Sequence, residues 1–177
     1  MKALILACCV ACCLVSAAAH AQLKSDWELK NEDRLKQSEE RMVPPPALER
    51  SRLVELKLHV AADSDFRFYV DWGSVSAGED RIVRYVLLAR SPRGGENITF
   101  EGIRCPAEYR VYAVARADGA WGGRAAEWRL IPRHANAPQN LLARQYFCPG
   151  RHPVQTSDEG QRAVRAGGHP GVFIEPR

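Results

Sequence analysis

On either side of a short Asp63-Ser64-Asp65 turn, apolar and polar side chains alternate one for one, and this restricts the chain to half-buried β-strands more sharply than any other feature. Val54, Leu56, Leu58 and Val60 share one face of an extended segment, with Glu55, Lys57 and His59 on the other. Beyond the turn, Phe66, Phe68 and Val70 alternate with Arg67, Tyr69 and Asp71. Two alternating runs joined by a short polar loop predict a β-hairpin.

More strands follow. Residues 81–90 are apolar and β-branched on both faces (Ile82, Val83, Tyr85, Val86, Leu87, Leu88), which suits a central strand. Ser91-Pro92-Arg93-Gly94-Gly95 is turn chemistry, and residues 97–105 and 109–116 form two further strands. Ala117-Asp118-Gly119-Ala120 supplies another hairpin turn before a short strand at 127–131. Asn136 then sits as the N-cap of a short helix, with Pro138 in its first turn and Leu141, Leu142 and Tyr146 on one face, ending near Cys148. Short connections between successive strands imply an antiparallel meander. The expected fold is mainly β over residues 51–148, with a short C-terminal helix; closure into a small barrel or stacking as a sandwich stays open.

The flanks differ in character. Met1-Lys2, an uncharged run from Ala3 to Ala19 and Ala19-His20-Ala21 have the three parts of a secretory signal peptide, cleaved after Ala21. An uncleaved N-terminal anchor is the alternative. Ile5-Leu6-Ala7-Cys8 resembles a lipoprotein cleavage box but leaves too little chain ahead of it for an apolar core. Residues 22–50 read as a polar N-terminal extension ended by Pro44-Pro45-Pro46, and residues 149–177, rich in Gly and Pro, as a flexible tail in which Val172-Phe173-Ile174 is available as an edge strand.

Four of the six cysteines, Cys8, Cys9, Cys12 and Cys13, fall in the leader. Cys105 and Cys148 remain, and in an exported chain they most simply pair with each other. A net charge of +4, with both signs interspersed, gives no basis for nucleic-acid binding. His59, His134, His152 and His169 are scattered, and Asp63-x-Asp65 lacks the further oxygens of a calcium loop, so neither a metal nor another cofactor is expected. Ser74 and Ser76 lie near Asp71 without a base, and no nucleophile elbow, phosphate loop or dinucleotide fingerprint occurs. Trp72 and Trp128 are expected to plug the ends of the sheet core, and Trp121, beside Gly119, Gly122 and Gly123, to be exposed.

Phe68-x-Val70-Asp71, Ser74, Gly78, Asp80 and Val83-Arg84-Tyr85 are followed by Ser91, Asn97 and the string Glu101-Gly102-Ile103-Arg104-Cys105. With Tyr112-Ala113, Trp121, Trp128 and Phe147-Cys148, this series over residues 26–148 resembles the cryptic neisserial protein-like family of exported bacterial proteins. That family usually has Asp-Gly where this chain has Asp80-Arg81, which puts the local turn in question. The resemblance implies a Gram-negative envelope protein and carries over no catalytic residues.

Within the string, Glu101 is expected to meet Arg84 across neighbouring strands as a charged pair tying the sheet. The alternative is a polar pocket lined by Asp71, Arg84 and Glu101. The candidate binding residues are therefore Asp71, Arg84, Glu101 and Trp121. The expected function is that of a periplasmic or secreted envelope protein, a non-catalytic binding or structural module. Its partner would be an envelope protein or glycan, with no membrane span once the leader is removed. The rival is a hydrolase-type envelope enzyme using the site around Asp71, Arg84 and Glu101.

Overall fold

A computed structural model describes residues 29–30, 43–58, 66–123, 126–134 and 136–172. The chain divides into two units, Met1–Leu35 and Lys36–Arg177. In the first, Leu29 and Lys30 are helical and exposed; the second carries the sheet and the site.

Among the described residues, seven strands form one open antiparallel sheet: β1 (Leu53–Glu55), β2 (Arg67–Ala77), β3 (Ile82–Arg90), β4 (Glu96–Arg104), β5 (Glu108–Ala115), β6 (Trp121–Gly122) and β7 (Arg129–Leu130). The order is β1-β2-β3-β4-β5-β6, and β7 also pairs with β5. This is the expected mainly β meander, and it is open rather than closed. The central strand is β3, where every residue from Ile82 to Leu88 is buried. β-Branched and apolar residues on both of its faces leave it no solvent side, so it sits mid-sheet with cover above and below.

Turn chemistry sets the register. Between β3 and β4, Ser91 N–H donates to the Gly95 carbonyl (2.8 Å) and Gly94 takes φ 82. Between β5 and β6, Arg116 N–H donates to the Ala120 carbonyl (2.8 Å). The β2–β3 turn is the one placed in question by Asp80-Arg81. It forms, with Gly78 N–H on the Ile82 carbonyl (3.1 Å), and Arg81 takes φ 62, the left-handed conformation that glycine adopts at little cost.

One face of the sheet holds the main core. Val70, Val83, Tyr85, Leu87 and Ile103 meet Leu141, Leu142, Tyr146 and Phe147. These last come from α1 (Pro138–Leu141), which runs directly into a π-helical segment, Leu142–Phe147. Its N-cap is Ala137, with no side-chain cap, so Asn136 does not cap it as expected. Cys148 follows and is joined to Cys105, at the end of β4, by a disulfide with Cα atoms 5.7 Å apart. The opposite face carries a smaller cluster of Val86, Phe100 and Ala113, joined by Leu48, Ile98, Tyr112 and Trp121.

Two expectations are corrected. The first strand pairs with the second as expected, but β1 stops at Glu55, and the Leu56 N–H to Phe68 carbonyl bond (2.8 Å) extends the ladder by one step. His59, Asp63 and Asp65 lie outside the described residues. Residues 149–172, expected as part of a flexible tail, hold a helix: α2 (Ser157–Ala166) buries Gly160, Ala163 and Val164. It lies against β2, with Gln161 Nε2 donating to the Val75 carbonyl (3.1 Å) and Ala77 N–H to Ser157 Oγ (3.1 Å). A Cβ on Gly160 would stand 2.8 Å from Val75 Cγ1, so glycine sets how closely helix and strand approach. Phe173 and Ile174 lie outside the described residues.

Candidate functional site

Pairing of β3 with β4 decides what Glu101 can reach. Tyr85 stands opposite Glu101, and Arg84 opposite Gly102. Cross-strand partners share a face and sequence neighbours take opposite ones, so Glu101 lies on the helix-covered face and Arg84 on the other. The expected Glu101–Arg84 pair therefore does not form. Glu101 instead accepts three hydrogen bonds: from Tyr85 OH at Oε2 (2.9 Å), from Thr99 Oγ1 at Oε1 (2.7 Å) and from Gln139 Nε2 at Oε2 (2.9 Å). Only 3% of the residue is exposed. Burial raises its pKa above the ordinary carboxyl value of 4.5, against the pull of the three donors. Burial, with Glu101 beside it, also pushes the Tyr85 phenol well up.

Arg84 is committed to Asp80. The two form a buried bidentate pair, with Arg84 Nη2 on Asp80 Oδ2 and Nη1 on Oδ1. Asp80 Oδ1 also accepts from Ile82 N–H (3.2 Å), which fastens the β2–β3 turn to the start of β3. Burial works against the Arg84 charge, but Asp80 and Tyr112 outweigh it and hold its pKa above the usual value.

Asp71, also buried, makes a third and separate set of contacts. Its Oδ2 accepts Glu49 N–H (3.0 Å), its Oδ1 accepts Gly73 N–H (3.0 Å), and Arg52 Nε lies 3.2 Å away. Val86 is its cross-strand neighbour, which places it on the face of Arg84 and away from Glu101. Ser74 bridges the irregularity in β2: its hydroxyl donates to the Asp71 carbonyl (2.6 Å) and accepts Val86 N–H (2.8 Å), in place of a ladder bond. Asp71, Arg84 and Glu101 thus do not line one pocket.

What the face opposite the helices does assemble is a layer of rings and guanidinium groups. Tyr112 packs 5.6 Å from Phe100, and Trp121 meets Phe100 edge-on at 6.4 Å. Trp128 stands at 90° to Tyr112. Arg104 lies 4.2 Å over Trp128, and Arg110 5.4 Å over Tyr112. Gly102 makes the layer possible, because a Cβ there would lie 2.7 Å from Tyr112 Cε2 and 2.9 Å from Ile82 Cγ2. Trp121, expected to be exposed, is half-buried, as is Trp128. Trp72 packs against the main core, with Arg165 over its ring at 4.9 Å.

The remaining candidates are structural or solvated. His134 and His152 are exposed. His169 Nδ1 accepts Gly171 N–H (2.9 Å), which leaves Nε2 to contact Glu159 Oε1 (2.9 Å). That contact ties the end of the described chain back to α2 and was not foreseen, because it joins residues ten apart across a helix and a glycine turn. Among the described residues, no group of three His, Cys, Asp or Glu side chains is placed to hold a metal ion.

A family model, that of the CNP1-like family, matches residues 32–165. The chain belongs to the CNP1-like family. The CNP1-like region takes in Glu101 and its partners, both disulfide cysteines and the ring layer, and it runs past Cys148 through most of α2. No curated protein and no solved structure matches the chain.

Proposed function

We propose that this CNP1-like chain is a non-catalytic binding module of the bacterial envelope, exported and then oxidised at Cys105 and Cys148. The observation that carries this reading is the separation of its ionisable groups. Glu101 lies on one face of the sheet, Asp71 and Arg84 on the other, and each is held in its own set of contacts. A hydrolase built on them would need two of these groups within about 3 Å of one reacting atom. The leader-like residues 1–21 and the disulfide support an oxidising compartment, and among the described residues no helix is long and apolar enough to cross a membrane.

The contact surface in this reading is the layer of Tyr112, Trp121, Trp128, Arg104 and Arg110. Half-buried rings suit a glycan, since sugars stack on rings, and the two guanidinium groups, already engaged with Glu108 (3.5 Å) and the Ala126 carbonyl (2.6 Å), add a positive field that favours an anionic one. The test is a titration of the chain from residue 22 onward with soluble anionic and neutral envelope glycans, followed by tryptophan emission. Saturable binding of the anionic glycan, weakened at least tenfold in Trp121→Ala, is the expected result. Binding indifferent to Trp121, or a hydrolytic activity abolished by Glu101→Gln, would overturn the reading.

A further inference from the structure

A concave feature lies on the helix side of the sheet, next to the disulfide. It is a cleft of about 380 Å³, lined by Pro106, Ala143, Cys148 and Val172, with Arg144 and Arg151. Its walls come from three parts of the sequence: the end of β4, the π-helical segment with the turn after it, and the last described residues. The Cys105–Cys148 bond pins the first of these to the second, so the cleft is braced rather than a gap between loose loops. His169 N–H on the Gln145 carbonyl (2.7 Å) holds the third wall in place.

Its chemistry is one-sided. Ala143 and Cys148 are buried, Arg144 and Arg151 are exposed, and among the described residues no acidic side chain lines the cleft. Neither guanidinium makes an ion pair or side-chain hydrogen bond with a described residue. Arg151 reaches the cleft from φ 71, a left-handed conformation that non-glycine residues rarely adopt. Two unspent guanidinium groups beside an apolar wall match an anion that carries hydrocarbon. The volume falls near the lower end of the roughly 300–1,000 Å³ of small-molecule sites, which suits a medium-chain tail and not a phospholipid.

We propose that this cleft binds a small organic carboxylate with an apolar tail, its head paired with Arg144 and Arg151 and its tail against Pro106, Ala143 and Val172. The site is independent of the ring layer on the other face. Octanoate, kept below its micelle concentration, is the probe; acetate supplies the head without the tail, and octanol the tail without the charge. Isothermal titration of the chain from residue 22 onward is expected to show saturable octanoate binding, with acetate and octanol at least tenfold weaker. Arg144→Gln and Arg151→Gln, both exposed positions, are expected to keep the thermal midpoint and each weaken octanoate about tenfold. Trp121→Ala is expected to leave octanoate binding unchanged. No saturable octanoate binding, octanol binding as tightly as octanoate, or both arginine variants binding like the parent would overturn the proposal.

Discussion

Glu101 is a carboxyl group withdrawn from water among three uncharged hydrogen-bond donors, Tyr85, Thr99 and Gln139. Its pKa in the fold lies above the ordinary 4.5, so the fold binds this proton more tightly than the unfolded chain does. Its stabilising contribution is complete below about pH 4.5 and is lost as pH rises through the folded value. Glu96 has the opposite sign. Arg50 and then Arg90 hold it at about 2, so its contribution is present above 4.5 and lost as pH falls towards 2. Urea midpoints measured from pH 4.5 to 8 should therefore fall with rising pH in the parent and stay level in Glu101→Gln, which keeps the shape and removes the titration. A parallel slope in the variant would show that another group carries the dependence. At the neighbouring position, Gly102→Ala forces a Cβ against the Tyr112 ring and Ile82. It is expected to cost about 1–3 kcal/mol in denaturant melts and to alter the near-ultraviolet circular dichroism of the ring layer. Both residues stand in the Glu101-Gly102-Ile103-Arg104-Cys105 string, whose importance was visible in the sequence. Their partners were not, because one residue of register decides whether Glu101 faces Arg84 or Tyr85.

At the scale of elements, the β2–β3 turn holds its geometry with a residue poorly suited to it. Arg81 at φ 62 occupies a region that costs an L-residue about 1–2 kcal/mol, so Arg81→Gly is expected to raise stability by less than that, since it also removes the contacts of the Arg81 side chain; thermal unfolding checks it. The helix α2 carries the other lesson. Thr156 accepts Glu159 N–H (3.2 Å) while Glu159 reaches back to Gln155 N–H (2.6 Å), and Gly167 closes the far end at φ 78. Thr156-Ser157-Asp158-Glu159 has the spacing of a capping box, a start signal present in the sequence. What concealed the helix was its composition: Gly160 lies inside it and its apolar residues are few, because a closely approaching helix needs little side chain to fill the gap. Thr156→Ala is expected to cost about 1 kcal/mol and to speed amide exchange across residues 157–166. Unchanged exchange there would mean that packing on β2 alone holds the helix.

For the whole molecule, the Cys105–Cys148 bond closes a sequence separation of 43 residues, from the end of β4 to the end of the π-helical segment. Removing it in the double Ala variant is expected to lower stability by up to about 4 kcal/mol, the chain-entropy estimate for a loop of that length. Equilibrium unfolding of the two forms measures the difference. Intact mass under native conditions, two hydrogens lighter than the reduced chain, checks that the bond forms.

Alternation, turn residues and the cysteine pair were enough to specify β2 to β5, their antiparallel order and the disulfide, though not the end of β1 or the short β6, because each is a local or topological constraint written in residue type and spacing. The fate of Asp71, Arg84 and Glu101 was settled only in three dimensions. Strand register assigns each side chain a face, and burial makes every ionisable group take whichever partner that face supplies. The cleft beside the disulfide is likewise a tertiary product, since its walls come from segments that are distant in sequence until the sheet, the helices and the Cys105–Cys148 bond bring them together.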